Sequence, residues 1–269
     1  IFIIYGVVTA TSVGDLFIAG IVPGLLLAFS LCFANYVVCR RSGWGPAATD
    51  RFQVSALPRA LWDAKWGLLA PAIILGGIYS GLFTPTESAA VAVAYCLIVE
   101  LFVTRGLRGR EIPRLLERSG AITGVIGPII AFSILFGEVL SVLRIPDTLA
   151  AFLLELPNGH AGTIMMILAL LLVVGCFLET IAAIIIMMPI LLPVATGLGL
   201  DPVHLGVFVV CGLTIGFITP PVGINLFAAS AVSGVPYLEI AGKVWPLCLA
   251  LVVAVLLIGM FPELSIWFK

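Results

Sequence analysis

The sequence predicts an all-α, multi-pass membrane protein, and this fold class rests on composition and on the lengths of the apolar runs. Of the 269 residues, 62% are hydrophobic and only 10% are charged. A soluble domain carries roughly 25% charged residues, so this chain has too few to keep its surface in water. Several apolar runs approach the roughly 20 residues that a helix needs to cross the hydrocarbon core.

Complete membrane spans are predicted at five apolar runs, and the polar stretches between them are the loops. The five runs are 16–38, 66–82, 88–103, 120–142 and 245–261. Residues 1–8 have the composition of the end of a further span. The chain starts in that apolar stretch, with neither an initiator Met nor a basic leader, so we expect it to begin within a membrane segment of a longer protein.

The basic residues orient this layout. If loops alternate between the two sides, the loops at 40–65, 105–118 and 233–243 share one face and hold 11 of the 13 Lys and Arg. Only Arg144 and Lys269 remain for the opposite face. Because cytoplasmic loops carry the excess of Lys and Arg, the first face is predicted to be cytoplasmic.

A short turn at 83–87 separates the second and third spans. Thr84 precedes Pro85, and Glu87 follows Thr84 by three residues. This spacing predicts a capping box that opens the next helix at Ser88. Capping by itself explains the motif, and a direct contact with a substrate is the alternative.

The segment 216–225 interrupts an apolar stretch in a way that a regular helix does not tolerate. It places two prolines and two glycines between the apolar runs 207–215 and 226–232. Proline removes a backbone donor and glycine weakens a helix, yet the flanks are too apolar for a surface loop. Broken backbone at membrane depth survives inside protein or against a polar cavity, which is how many transporters build their sites. A proline-kinked, packed helix is the alternative.

This break contains the oxygen atoms that a sodium ion requires. We predict sodium ligands in the side chain of Thr219 and in the carbonyls of Gly216 and Pro220. A substrate anion is predicted at Pro221, Gly223 and Asn225, because Asn225 begins the second half-helix, where free N–H groups favour negative charge.

A second polar position, Glu179-Thr180, joins the apolar pieces 163–177 and 181–196, which we interpret as too short to span separately. We predict a hairpin that enters and leaves the membrane on one side. The prediction rests on the lengths of the two pieces and on the polar tip between them, since the charge distribution fits either topology. A carboxylate at membrane depth is costly unless it faces a cavity, is paired or is protonated. Glu179 and Thr180 are therefore candidate sodium ligands, and capping of the next helix by Glu179 is compatible with that role.

The sequence carries no arrangement of residues typical of an enzyme. It has no nucleophile elbow, no zinc-protease motif and no Walker loop, so we expect neither catalysis nor ATP-driven pumping. The six cysteines are scattered, and His160, His204, Asp15 and Asp201 fit ordinary loop or cap positions. A net charge of −1 gives no reason to expect a nucleic acid partner. An intramembrane hydrolase would depend on Ser80, Ser133 or Glu179, none of which has an evident catalytic partner.

Several motifs resemble those of the large membrane subunit of tripartite ATP-independent periplasmic (TRAP) transporters. They are IYGVVT at 4–9, GGIYSGLFTPTESAAVAV at 76–93, FLET at 177–180 with PILLP at 189–193, LDPVH at 200–204, and GFITPPVGINLF at 216–227. The resemblance implies a sodium-coupled, elevator-type importer of organic acid anions, such as dicarboxylates or sialic acid, in a bacterial inner membrane. It implies two protein partners, a periplasmic substrate-binding protein and a small four-helix membrane subunit, and no cofactor other than the coupling ion.

The same resemblance implies two inverted repeats, of which the second is intact and the first is largely missing. Residues 1–15 would end a broken helix of the first repeat, and 16–118 would form scaffold helices. Residues 119–232 would form the transport unit, with a re-entrant hairpin at 163–196 and a broken helix at 207–232, and 233–269 a terminal scaffold helix. Two other functions stay open: a stand-alone sodium:anion symporter of a related elevator fold, and a non-transporting assembly subunit.

Overall fold

The structure is a computed structural model that describes residues 1–43, 57–144, 148, 159–178, 180–197 and 199–269. Within these ranges all regular structure is helical, which confirms the all-α prediction. Part of the predicted loop at 40–65, and the predicted ligand Glu179, lie outside the described residues. The helices are α1 (Phe2–Thr9), α2 (Val13–Ala19), α3 (Ile21–Arg41), α4 (Leu57–Asp63), α5 (Lys65–Tyr79), α6 (Pro85–Ile98), α7 (Ile112–Val142), α8 (Gly159–Phe177), α9 (Thr180–Gly197), α10 (Pro202–Gly216), α11 (Ile224–Ser233), α12 (Tyr237–Lys243) and α13 (Trp245–Met260).

Several of these helices have the length and composition of membrane spans. Among the described residues, Val13–Arg41, Pro85–Val103 and Thr180–Gly197 qualify singly. Two bent pairs qualify when each pair is taken together, α4 with α5 (70° bend) and α12 with α13 (48° bend). The chain is therefore a multi-pass helical membrane protein.

The chain divides into two compact units, residues 1–44 with 129–269, and residues 45–128. In the first unit α10 is the central helix, packed against α1, α2, α8, α9 and α13. It is buried on nearly all sides, as expected for a helix that is apolar around its whole circumference. Phe208 and Leu213 of α10 are fully buried, and Tyr5 of α1 donates its hydroxyl to the Pro202 carbonyl at 2.7 Å.

Contacts place Lys269 and Arg41 at different helix ends of the first unit, and the side assignment made from the basic residues stays a prediction. At one end, the Lys269 ammonium pairs with the carboxylate of Asp201, which caps α10 through the Val203 N–H at 2.8 Å. At the other end, Arg41 and Pro246 line one groove.

The helices on either side of Glu179 are longer than the sequence suggested. The helix α8 has 19 residues and α9 has 18, and α9 alone is long and apolar enough to cross a membrane. The premise that both pieces are too short to span is therefore wrong for α9, which extends the predicted 181–196 by one residue at each end. Re-entry within the membrane stays a prediction.

In the second unit α5 and α6 pack against each other around the predicted turn. The Thr84 hydroxyl accepts from the Glu87 N–H at 3.3 Å, and Glu87 Oε2 accepts from the Thr84 N–H and hydroxyl, each at 2.8 Å. The capping box is confirmed, and it fixes the start of α6 at Pro85.

Candidate functional site

The helix breaks where the proline and glycine pattern predicts it. The helix α10 ends at Gly216, and three tightened turns follow as the N–H groups of Phe217, Ile218 and Thr219 donate to carbonyls three residues back at 3.1–3.2 Å. Pro220 and Pro221 then supply no donors. The helix α11 begins after Gly223, whose φ of +49° lies in the left-handed region that glycine adopts readily.

The loop between the half-helices closes on itself through its backbone. The Asn225 N–H donates to the Phe217 carbonyl at 3.0 Å, and the Leu226 N–H to the Gly223 carbonyl at 2.7 Å. These bonds satisfy donors that the start of a helix normally leaves free. The N-terminus of α11 is held against the end of α10 without a regular helical connection.

Side chains from three other helices donate to the carbonyl groups that the break releases. The Tyr237 hydroxyl donates to the Pro221 carbonyl at 2.7 Å and lies 3.3 Å from the Val222 carbonyl. The thiol of Cys248 lies 3.5 Å from the Ile218 carbonyl, and that of Cys176 lies 3.9 Å from the Pro220 carbonyl. Sequence reasoning missed all three residues, since each is separated from the break and carries no motif of its own.

The end of α8 packs against the break with no side chain between the two backbones. A Cβ atom on Gly216 would overlap the carbonyl group and Cα of Gly175, and a Cβ on Gly175 would lie 3.1 Å from the Leu213 carbonyl oxygen. Glycine is required at 216, whereas a Cβ at 175 would need its neighbour to shift by a few tenths of an ångström. The end of α8 is therefore in direct contact with the point where α10 ends.

A small cavity lies beside this contact. Its volume is about 30 Å³, and its walls come from the tip of the hairpin and from the break. One water molecule occupies roughly 30 Å³ in the liquid, so the cavity has room for one guest of that size. The described lining residues are Gly175, Cys176, Phe177, Leu178, Gly216, Phe217, Val222 and Gly223.

At the tip itself, Thr180 begins α9 and is buried, with 1% of its surface exposed. Its Oγ1 atom has no hydrogen-bond partner within the part of the chain that the structure describes. An unsatisfied buried hydroxyl costs free energy, on the order of 1–3 kcal/mol. Its neighbour Glu179 lies outside the described residues, so the second predicted tip ligand cannot be placed.

The predicted site residues fall into two groups. Gly216 and Gly223 line the cavity, whereas the Thr219 hydroxyl donates to the Ile215 carbonyl at 2.8 Å and lies 3.9 Å from the Cys248 sulfur. Thr219 therefore faces α13 rather than the described walls of the cavity. Its role as a sodium ligand stays a prediction.

Of the three predicted anion ligands, Gly223 is buried and lines the cavity, whereas Pro221 and Asn225 are exposed. The carbonyls of Pro220 and Pro221 accept the side-chain donors described above, and the side chain of Asn225 is exposed. Asn225 is the second residue of α11, as the sequence predicts. Among the described residues no group of three or more His, Cys, Asp or Glu is arranged to hold a metal ion.

An interrupted apolar helix, contacted at its break by the tip of a helical pair, is the architecture of a secondary-transporter membrane domain. A family model confirms the class: the DctM component of tripartite ATP-independent periplasmic transporters matches residues 1–264. The chain belongs to this family, and the resemblance drawn from its motifs is confirmed.

Named relatives support the same assignment. The isethionate TRAP transporter permease protein DctMQ of Oleidesulfovibrio alaskensis is 42% identical over 269 residues, which is 99% of this chain and 42% of that protein. The C4-dicarboxylate large permease DctM of Pseudomonas aeruginosa is 42% identical over 266 residues, 99% of this chain and 62% of that protein. The sialic acid large permease SiaM of Vibrio cholerae is 36% identical over 98% of this chain and 61% of its own length. The chain thus spans less than two thirds of these relatives, all of which are permeases.

Proposed function

We propose that this chain forms part of the permease subunit of a secondary-active, sodium-coupled importer of organic acid anions in a bacterial inner membrane. Family membership supports the proposal, as do relatives named for isethionate, C4-dicarboxylates and sialic acid. By the same reasoning its partners are a periplasmic substrate-binding protein and a small four-helix membrane subunit. Coupling to an ion gradient supplies the energy, and no other cofactor is needed.

The single observation that carries the sodium site is the buried Thr180 hydroxyl without a described partner, at the start of α9, which follows the helix α8 that packs against the break. A sodium ion held there by hydroxyl and carbonyl oxygens would satisfy Thr180. We place the ion between the tip, at Glu179 and Thr180, and the break, at Gly216 and Pro220. Thr219 would join these ligands when its hydroxyl turns away from the Ile215 carbonyl. Both sides of the contact would be stabilised by the same ion.

The substrate anion is placed next to this ion, at Pro221, Gly223 and Asn225. The N-terminus of α11 carries a partial positive charge of about half an elementary unit, which favours an anionic group. Sodium would fix the loop that holds Gly223, so the ion and the anion would bind with positive coupling. The loaded unit would then move against the scaffold helices.

Thermal unfolding tests the ion site directly on the purified protein. Sodium at tenfold its Kd stabilises a binding fold by about 1.4 kcal/mol, so NaCl should raise the Tm above an equal concentration of KCl. Thr180→Val should remove this difference and Thr180→Ser should keep it. Thr196→Val, at an exposed threonine of the same helix, is the matched control and should leave it unchanged.

An equal Tm in sodium and potassium for the unmodified protein would contradict the site, as would a sodium effect that survives Thr180→Val. Uptake in proteoliposomes that contain the complete permease, the small subunit and the binding protein tests transport. Thr219→Ala should weaken sodium-dependent uptake, and unchanged sodium dependence would remove Thr219 from the site. Uptake without the binding protein would instead favour a stand-alone symporter.

A further inference from the structure

A long apolar groove runs between α3 and α13, away from the hairpin and the break. Its volume is about 640 Å³, within the range of sites that hold a ligand of several hundred daltons. Phe29 and Phe33 of α3 form one wall, and Leu249 and Val253 of α13 form the other. Each of these four residues is exposed over about half or more of its surface, so the groove is open.

One end of this groove is positively charged. Arg41 lines it, and Arg40 precedes Arg41 in the last turn of α3. Arg40 donates one N–H to the Tyr36 hydroxyl at 3.2 Å, and a guanidinium has four further N–H groups. None of the described lining residues is acidic. The partial charge at the C-terminus of α3 is about −0.5, which two full positive charges exceed, so the end remains cationic.

We propose that this groove binds an anionic phospholipid, with its phosphate at Arg40 and Arg41 and one acyl chain along Phe29 and Phe33. An apolar channel with a cationic end matches an anionic amphiphile in both charge and polarity. The two arginines belong to the face that the charge distribution assigns to the cytoplasm, where anionic headgroups interact with basic residues next to spanning helices. The two phenylalanine rings stack with centroids 6.3 Å apart, which gives the chain a continuous wall. This inference does not depend on the transport proposal.

The second unit contains a groove that serves as an internal comparison. Its volume is also about 640 Å³ and its walls are apolar, including Ile74, Val93 and Leu115. Its polar member is Glu100, whose carboxylate accepts a hydrogen bond from the Thr104 hydroxyl at 2.9 Å. A carboxylate repels a phosphate, so this groove should not select anionic lipids. Size alone therefore does not confer the proposed selectivity.

Lipid binding to the purified protein tests the proposal, with bound lipids counted by native mass spectrometry. The probes are phosphatidylglycerol and phosphatidylcholine with identical acyl chains. We expect phosphatidylglycerol to bind on the order of tenfold more tightly, because each arginine near the headgroup contributes roughly fivefold. The double variant Arg40→Gln with Arg41→Gln should bring the two lipids close to parity.

Two further variants separate the groove from general surface charge. Arg110→Gln with Arg114→Gln removes the same charge from exposed positions elsewhere and should keep the preference. Ala34→Trp fills the groove while keeping both arginines, and should reduce tight binding of both lipids. The Tm of each variant, measured without added lipid, verifies that the variant folds. If a variant is unstable, Arg41→Lys with Arg40 intact replaces it, and this variant should keep most of the preference for phosphatidylglycerol.

Equal binding of the two lipids to the unmodified protein would overturn the proposal. So would an equal loss of preference in the Arg110 and Arg114 control, since that would indicate a general charge effect. A lipid-independent dimer that Ala34→Trp dissociates would identify a second copy of the chain as the occupant and would also overturn it.

Discussion

Gly175 of α8 and Gly216 of α10 are in backbone contact, and a Cβ atom on Gly216 would occupy the position of the Gly175 carbonyl group. The contact joins the last turn of the hairpin's first helix to the last residue of α10. Neither backbone can yield as a flexible side chain would. The geometry of the candidate site therefore depends on two residues that carry no functional group.

Gly216→Ala should force these two helices apart. Overpacking typically costs about 1–3 kcal/mol, and here the obstacle is backbone, so we expect the upper part of that range and a lower Tm. Sodium-dependent stabilisation should weaken in the same variant. Gly242→Ala is the control: its Cβ would meet nothing within 4 Å, and alanine in a helix is favoured over glycine by up to about 1 kcal/mol. A Tm that rises in both variants would show that the Gly175–Gly216 contact can relax.

Tyr237→Phe removes the hydroxyl that donates to the Pro221 carbonyl, while the ring can keep its stacking on Phe227 at 4.5 Å between centroids. We expect a loss of about 1 kcal/mol in stability and a weaker response to sodium and to substrate, because the loop carrying Pro221 is no longer fixed. The measurement is Tm with and without sodium. Tyr95→Phe removes a comparable bond, to the Trp66 carbonyl at 2.9 Å in the second unit, and should leave the sodium response intact.

Asp201 provides a pH-dependent contribution to stability at the start of α10. Partial burial raises the pKa of this carboxyl, but the Lys269 hydrogen bond and charge and the Val203 and His204 N–H groups outweigh it, so the pKa lies below its usual value. A carboxyl whose pKa is lower in the folded state stabilises the fold above the unfolded pKa, near pH 4. That contribution is lost as the pH falls through the lower folded value.

Asp201→Ala should therefore reduce the free energy of unfolding at pH 7 by about 1 kcal/mol, mainly through the lost cap. This difference in stability from the unmodified protein should shrink as the pH is lowered toward 3. Lys269→Met should cost less, because a partly exposed ion pair contributes about 1 kcal/mol or less. Urea or thermal unfolding between pH 3 and pH 7 measures both. A pH-independent Asp201→Ala difference would contradict the assignment.

Thr84→Ala removes the cap of α6 and should cost about 1 kcal/mol, since three hydrogen bonds between Thr84 and Glu87 define the box. Thr84→Ser should restore most of the stability. Thr86→Ala, at an exposed residue of the same turn, is the control. If uptake by the complete permease falls in Thr84→Ser as well, Thr84 contacts substrate in addition to capping, and the purely structural interpretation is wrong.

Local sequence patterns located the break and the caps because their causes are local. Pro220, Pro221 and Gly223 exclude a regular helix whatever surrounds them, and Thr84 and Glu87 satisfy backbone donors within one turn. The bounds of α9 were predicted as 181–196, and the structure adds one residue at each end, which brings the helix to the 18 residues of a candidate span.

The donors to the break were not predictable in the same way. Tyr237, Cys176 and Cys248 contact carbonyls 16, 44 and 30 residues away in the chain, and no spacing rule relates such positions. Nothing in the sequence distinguishes Cys248, which contacts the break, from Cys211, which is also buried but belongs to the apolar core.

The sequence by itself determined the helical membrane class, the site of the interruption and the family, because composition, proline chemistry and motif order act without reference to distant residues. Tertiary structure alone decided which groups meet at the interruption. The Gly175–Gly216 contact, the orientation of Thr219 toward α13 and the burial of Thr180 all depend on how separate helices pack, and packing is set by the shapes of surfaces that come together only in the fold.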